Sequence, residues 1–125
     1  MKSIEEIGEH QREMIEKHGF VVHAVGGVGF HTHGLVETWG HLNLEIAFWM
    51  DPRIGHQILW NAVHHIKEGK IYAAGTLHDD LIDPFLVRAI AAPRGIRFIM
   101  PDKKGRVDLP MDPPFAEQYD LKEKA

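Results

Sequence analysis

Apolar and polar positions along the chain change period several times, and each change marks an element. Ile4, Ile7, Met14 and Ile15 recur at helical spacing, with Ser3 and Glu6 placed as a capping box and Gly19 as a stop. This predicts a first helix from Ser3 to about His18. Gly8 weakens its interior by roughly 1 kcal/mol relative to alanine, and Glu5, Glu9, Arg12 and Glu16 form a solvated face. Two β-rich runs follow, Phe20–Val25 and Val28–His33, and the Gly26-Gly27 pair between them reads as a hairpin turn. In the second run Val28, Phe30 and Thr32 share one face, while His31 and His33 share the other. Gly34 breaks the strand, and Leu35–Gly40 reads as a short loop or single helical turn. Leu44–Trp49 is apolar on both faces apart from Glu45, the pattern of a central strand.

Asp51-Pro52 is a strong helix start, with aspartate as N-cap and proline at the first helical position. Ile54, Ile58, Leu59, Ala62, Val63 and Ile66 then form one stripe that ends before Gly69. Trp60 and His64 fall on the outward side of that wheel. An outward tryptophan suggests either a partner surface or cover from a loop or the C-terminal tail. Lys70–Ala74 reads as a short strand, and Gly75–Pro84 as a polar, acidic loop. Phe85–Ala91 and Ile96–Met100 read as two strands joined by Ala92-Pro93-Arg94-Gly95. Pro101–Gly105 is a turn, and residues 107–125, with their proline-rich LPMDPPF segment, read as an extended tail lying on the domain. The expected fold is α+β: a mostly antiparallel sheet of five to six short strands with two helices packed on one face.

Composition narrows this picture. The chain has 125 residues and shows no linker or repeat, so residues 1–125 are read as a single domain. Hydrophobic residues make up 44% and charged residues 26%, the balance of a soluble globular protein. A net charge of −4 argues against nucleic acid as a partner. The only basic excess, Arg94, Arg97, Lys103, Lys104 and Arg106, reads as a solvated hairpin. There is no cysteine, which excludes disulfides, thiolate metal sites and cysteine nucleophiles. Serine occurs once, at Ser3, which removes serine-nucleophile chemistry. The opening MKSIEEIGEHQ is polar where a signal peptide is apolar, and no apolar run is long enough to span a bilayer. The expectation is a cytoplasmic protein with no membrane association.

The compositional anomaly is ten histidines. Histidine is the commonest metal ligand, and its placement decides what it does. His31 and His33, two apart on a strand, point the same way and can both reach one ion. His41 is the expected third ligand, eight residues on and past a turn. His23 on the paired strand and the His78-Asp79-Asp80 cluster are further candidates. Three such ligands plus water would make an open site for a transition metal such as zinc. Asp79, Asp80 and Asp83 read as a solvated acidic loop rather than an acid–base pair. Gly26-Gly27-Val28-Gly29 lacks the lysine and helix of a phosphate loop.

The order of these pieces resembles the bacterial and phage family catalogued as domain of unknown function 4262. A family phrase like "HGW.V..V" is matched by His18-Gly19-Phe20-Val21-Val22. A strand like "F.YT.GL" is matched by Phe30-His31-Thr32-His33-Gly34-Leu35, and "GHPEL" by Gly40-His41-Leu42-Asn43-Leu44. The late phrase "WPD..G.FPWDPGF" corresponds to Met100-Pro101-Asp102, Gly105 and Leu109–Phe115. The resemblance spans about residues 12–118. This chain departs from it at His31, at His33 and at Leu42-Asn43. Membership implies a fold and carries no agreed activity.

Because no complete catalytic constellation is visible, the first functional expectation is a non-enzymatic binding module. It would sequester a small ligand, or cover a protein partner, through a pocket near residues 28–49 lined by His31, His33, Trp39, His41 and Tyr72. The alternative is a histidine-ligated, metal-dependent enzyme, hydrolytic in type. A homodimer is expected on the strength of Trp60 and the apolar strands.

Overall fold

Two side-chain periods, the alternation of strands and the stripe of one long helix, build the core against each other. The structure is a computed structural model that describes residues 4–121, with side chains from residue 8 onward. The elements run α1 (Ile4–His18), β1 (Val21–Val25), β2 (Gly29–His33), α2 (Leu35–Trp39), β3 (Leu44–Ile46), α3 (Pro52–Lys67), β4 (Leu77–Ile82), β5 (Phe85–Ala92) and β6 (Gly95–Ile99). A short 3₁₀ helix, Phe115–Tyr119, lies in the C-terminal segment. The six strands form one sheet in the order β1-β2-β3-β6-β5-β4. Every neighbouring pair is antiparallel except β3 with β6. This is the α+β architecture read from the sequence. The capping box at Ser3 and Glu6 lies outside the described side chains.

One face of the sheet packs against α3. Phe30, Leu44, Ile46, Ala89, Ile96 and Phe98 meet Ile58, Leu59, Ala62, Val63 and Ile66 of the helix in one buried cluster. The helix begins as its sequence dictates: the Asp51 side chain accepts from Arg53 N at 2.9 Å and Pro52 occupies the first turn. It ends at Glu68, followed by Gly69 at φ 103°. Trp60 is not left facing out. Its ring lies edge-on to Phe20 at 4.6 Å and to His18 at 5.5 Å, and its indole N–H donates to His56 Nε2 at 3.0 Å. The cover expected from a loop or the C-terminal tail comes here from His18, the last residue of α1, and from Phe20, between α1 and β1.

The opposite face is covered in part by the C-terminal segment. Val107 and Met111 bury against Ile99, with Ile90, Phe115 and Tyr119 packed around them. Gln118 fastens the segment. Its Oε1 accepts from Met100 N at 2.7 Å, and its Nε2 donates to Met100 O at 3.0 Å and to Phe115 O at 2.9 Å. Asp102 anchors the turn before it, accepting from the backbone N–H groups of Lys104, Arg106 and Asp112. Burial alone would raise this carboxyl, yet the Arg106 backbone and guanidinium, with Asp112 N and Lys104 N, hold it down at about 2.

Three expectations about the elements change. The third strand is shorter than Leu44–Trp49, because only Leu44–Ile46 holds the ladder before the chain turns toward α3. Lys70–Ala74 is not a strand. Gly75–Pro84, expected as a loop, contains β4, an edge strand whose register with β5 shifts between His78 and Ile82. That shift buries both His78 and Leu81, so the segment lacks the simple alternation that marks a strand.

Candidate functional site

The site is built by the register of the first hairpin. Val28 N bonds to Val25 O at 2.9 Å across Gly26 and Gly27, and Gly27 takes φ 76°, a conformation glycine adopts without penalty. Ladder pairing then starts at Val25 with Gly29, which places His23 directly opposite His31 and Val21 opposite His33. Opposite residues of an antiparallel pair share a face, so His23, His31 and His33 stand together on the face away from α3. Gly29 permits a close approach to β3: a Cβ there would lie 1.9 Å from Ile46 O. At the other end of β2, the Thr32 hydroxyl donates to Asn43 Oδ1 at 3.1 Å and accepts from Leu44 N at 2.9 Å. Asn43 Oδ1 also receives Leu35 N. These bonds lock β2 to β3 and hold the two histidines of β2 on a rigid strand.

The three rings are in mutual contact. His31 Nε2 lies 3.0 Å from His33 Nε2, and the His23 ring is 4.9 Å from that of His31 and 6.1 Å from that of His33. One potential ligand nitrogen from each lies within 4.8 Å of the other two. Burial, then the neighbouring His33 and His23 and the Arg94 guanidinium, push the His31 imidazole down to about 4. Burial, His23 and Arg94 lower His33 as well, against a smaller opposing effect of Glu37. Both rings are therefore neutral at pH 7, and the 3.0 Å contact is an N–H of one donating to the lone pair of the other.

Next to the histidines, cross-strand register sets His31 beside Glu45 and Glu45 beside Arg97. Arg97 is 2% exposed. Its Nη1 donates to Gln118 O at 2.8 Å and to Asp120 O at 2.6 Å, and its Nη2 lies 3.5 Å from Glu45 Oε2. A cavity of about 110 Å³ opens here, lined by His31, His33, Glu45, Arg94 and Arg97 among its polar residues and by Val25, Val28 and Ala47 among its apolar ones. Such a volume suits a small group rather than a drug-sized ligand, whose pockets run to roughly 300–1,000 Å³.

Of the residues expected at the site, His31 and His33 are brought together, and His23 joins them. His41 is placed elsewhere, with both ring nitrogens engaged: Nε2 accepts from Tyr72 N at 2.9 Å and Nδ1 pairs with Leu42 O at 2.7 Å. Tyr72 is buried in the main core against Phe98 and His78. Trp39 packs against the same core, 6.2 Å from Phe20. His78 is buried beside Thr76 Oγ1 at 2.6 Å, and Asp79 is exposed on β4. Asp80 pairs with Lys70 and lies 3.8 Å from His65 Nε2. Burial would raise its carboxyl, but Lys70 and His65 hold it lowered. Glu45 was missed as a lining residue, and Arg94 and Arg97, read with the basic excess as a solvated hairpin, instead line the cavity, Arg97 being buried by its bonds to the C-terminal segment. Their one sequence signal was charge inside or beside otherwise apolar strands.

The chain matches no protein-family model, no curated protein and no solved structure. No helix among the described residues is long and apolar enough to cross a membrane.

Proposed function

We propose that this chain is a small-ligand binding module and that its ligand sits in the cavity beside β2 and β3. The observation that carries this reading is the convergence of neutral His31 and His33 with the Glu45–Arg97 pair on one concavity of about 110 Å³. Polar groups cost free energy to bury unless they are hydrogen-bonded, and here His31, His33, Glu45 and Arg97 gather along one hollow. Neutral imidazole offers both a donor and an acceptor, and the buried guanidinium supplies fixed positive charge. A compact polar or anionic group complements that lining. The resemblance to the unknown-function 4262 family belongs to this proposal only as a statement about fold.

Titration of untagged protein with acetate, inorganic phosphate and imidazole, followed by ¹H–¹⁵N NMR, tests the reading. Signals of His31, His33, Glu45 and Arg97 are expected to move together and saturably with at least one probe. Native mass spectrometry is expected to show any co-purifying ligand as mass lost on denaturation. No saturable shift with any probe, together with a bare native mass, overturns the reading.

A second reading is a histidine-ligated, metal-dependent hydrolytic enzyme. The observation favouring it is the three-histidine cluster. It requires turnover of an ester or amide substrate that is lost on chelation and restored by metal.

A further inference from the structure

We propose that His23, His31 and His33 form a three-nitrogen site for a transition-metal cation of the zinc type, at the rim of the cavity. The proposal deepens the reading of this face as the binding site by naming the class of cofactor it takes. Tetrahedral coordination at metal–nitrogen distances of 2.0–2.1 Å puts ligand nitrogens roughly 3.3 Å apart. The His31 and His33 Nε2 atoms already stand 3.0 Å apart. One ring nitrogen of His23 lies within 4.8 Å of a ring nitrogen on each of the other two histidines, so a rotation of its exposed side chain can bring it to that spacing.

The distribution of rigidity fits this task. His31 and His33 stand on β2, which is paired on both sides and tied to Asn43 and Leu44 through Thr32. His23 stands on the edge strand β1 and is exposed, so its ring can swing without disturbing the core. Among the described residues the His23 ring contacts its two neighbours and makes no hydrogen bond. As purely structural groups, three clustered imidazoles would give the fold a single hydrogen bond. As ligands, all three nitrogens are used. The donor set is all imidazole, which selects zinc, cobalt, nickel or copper over magnesium or calcium. Three protein ligands leave a further coordination position open, and His31 and His33 place the ion beside the cavity.

The test uses the full-length, untagged chain stripped by dialysis against EDTA. Zinc binding is measured by equilibrium dialysis in the presence of excess magnesium, and Co(II) is added separately as a spectroscopic probe. The expected result is one Zn(II) per chain, a rise in Tm with zinc, and intense visible Co(II) bands of four-coordinate type. His31→Ala and His33→Ala are expected to weaken zinc binding at least a hundredfold, His23→Ala at least tenfold, and the surface control His64→Ala not at all. Where an alanine variant fails to fold by far-UV circular dichroism, the glutamine variant replaces it. No stoichiometric zinc at micromolar protein, or equal binding by wild type and the His31 and His33 variants, overturns the proposal. The two readings fail separately. Saturable acetate or phosphate shifts in metal-free protein keep the cavity reading when zinc does not bind, and zinc binding without any probe response keeps only the metal site.

Discussion

At the scale of single residues, His31 shows how position sets chemistry. Its imidazole has an ordinary value of 6.5 and is pushed down to about 4 in the folded chain, first by burial and then by His33, His23 and Arg94. Between those values the unfolded chain holds the extra proton. Stability from this group is therefore full above about pH 6.5 and is lost as the pH falls toward 4. An NMR titration of metal-free protein is expected to place the His31 midpoint near 4, and a midpoint above 6 would contradict it. Urea unfolding of His31→Gln is expected to show a shallower loss of stability across the same window. Gly29 is decided by space instead. Because a Cβ would meet Ile46 O at 1.9 Å, Gly29→Ala is expected to cost about 2 kcal/mol or more by forcing β2 from β3. A urea midpoint unchanged from wild type would show that the strands part freely.

At the scale of elements, the helices separate propensity from packing. Gly8 lies in α1 with open space where a Cβ would stand. Gly8→Ala is thus expected to stabilise by roughly 0.5–1 kcal/mol, read as a higher urea midpoint. Leu59 of α3 is fully buried in the main core. Leu59→Ala is expected to cost about 2–5 kcal/mol, the span set by how far the cavity collapses. Strand β4 is the contrary case, because its strand character comes from pairing rather than propensity. Its acidic His78-Asp79-Asp80 run reads as a loop, yet β5 supplies the ladder, and Lys70 and His65 meet Asp80.

At the scale of the whole molecule, the C-terminal segment covers part of the sheet face away from α3 and holds Arg97, a lining residue of the cavity. Gln118, 0% exposed, bonds both backbone groups of Met100, and the backbone oxygen of the same residue receives Arg97. Gln118→Ala strands those Met100 groups in an apolar layer. Its expected cost is about 2–4 kcal/mol. Hydrogen exchange is expected to show lost protection at Met100 and in the tail while α3 keeps its own. Uniform loss across both layers would show instead that the tail and the α3 core unfold as one unit.

The sequence by itself determined what local pattern can determine. The stripe from Ile58 to Ile66, the start at Asp51-Pro52, the β5–β6 hairpin and the shared face of His31 and His33 all follow from periods of 3.6 or 2 and from residues that cap or break them. The tertiary structure decided which residues from different elements meet. A two-residue Gly26-Gly27 loop would set His23 opposite Phe30, on the α3 side. The observed turn also takes in Val28, shifts the register by one residue and turns His23 to the face of His31 and His33. His41 illustrates the reverse: spacing offered it as a ligand, but the path through α2 delivers it to Tyr72, where both its nitrogens are engaged. The Glu45–Arg97 pair depends on β3 and β6 lying parallel, side by side, although α3, β4 and β5 separate them along the chain. Periodicity fixes the direction of a side chain from its own backbone alone. A site also needs register and strand order, which are set by the free energy of packing the whole sheet.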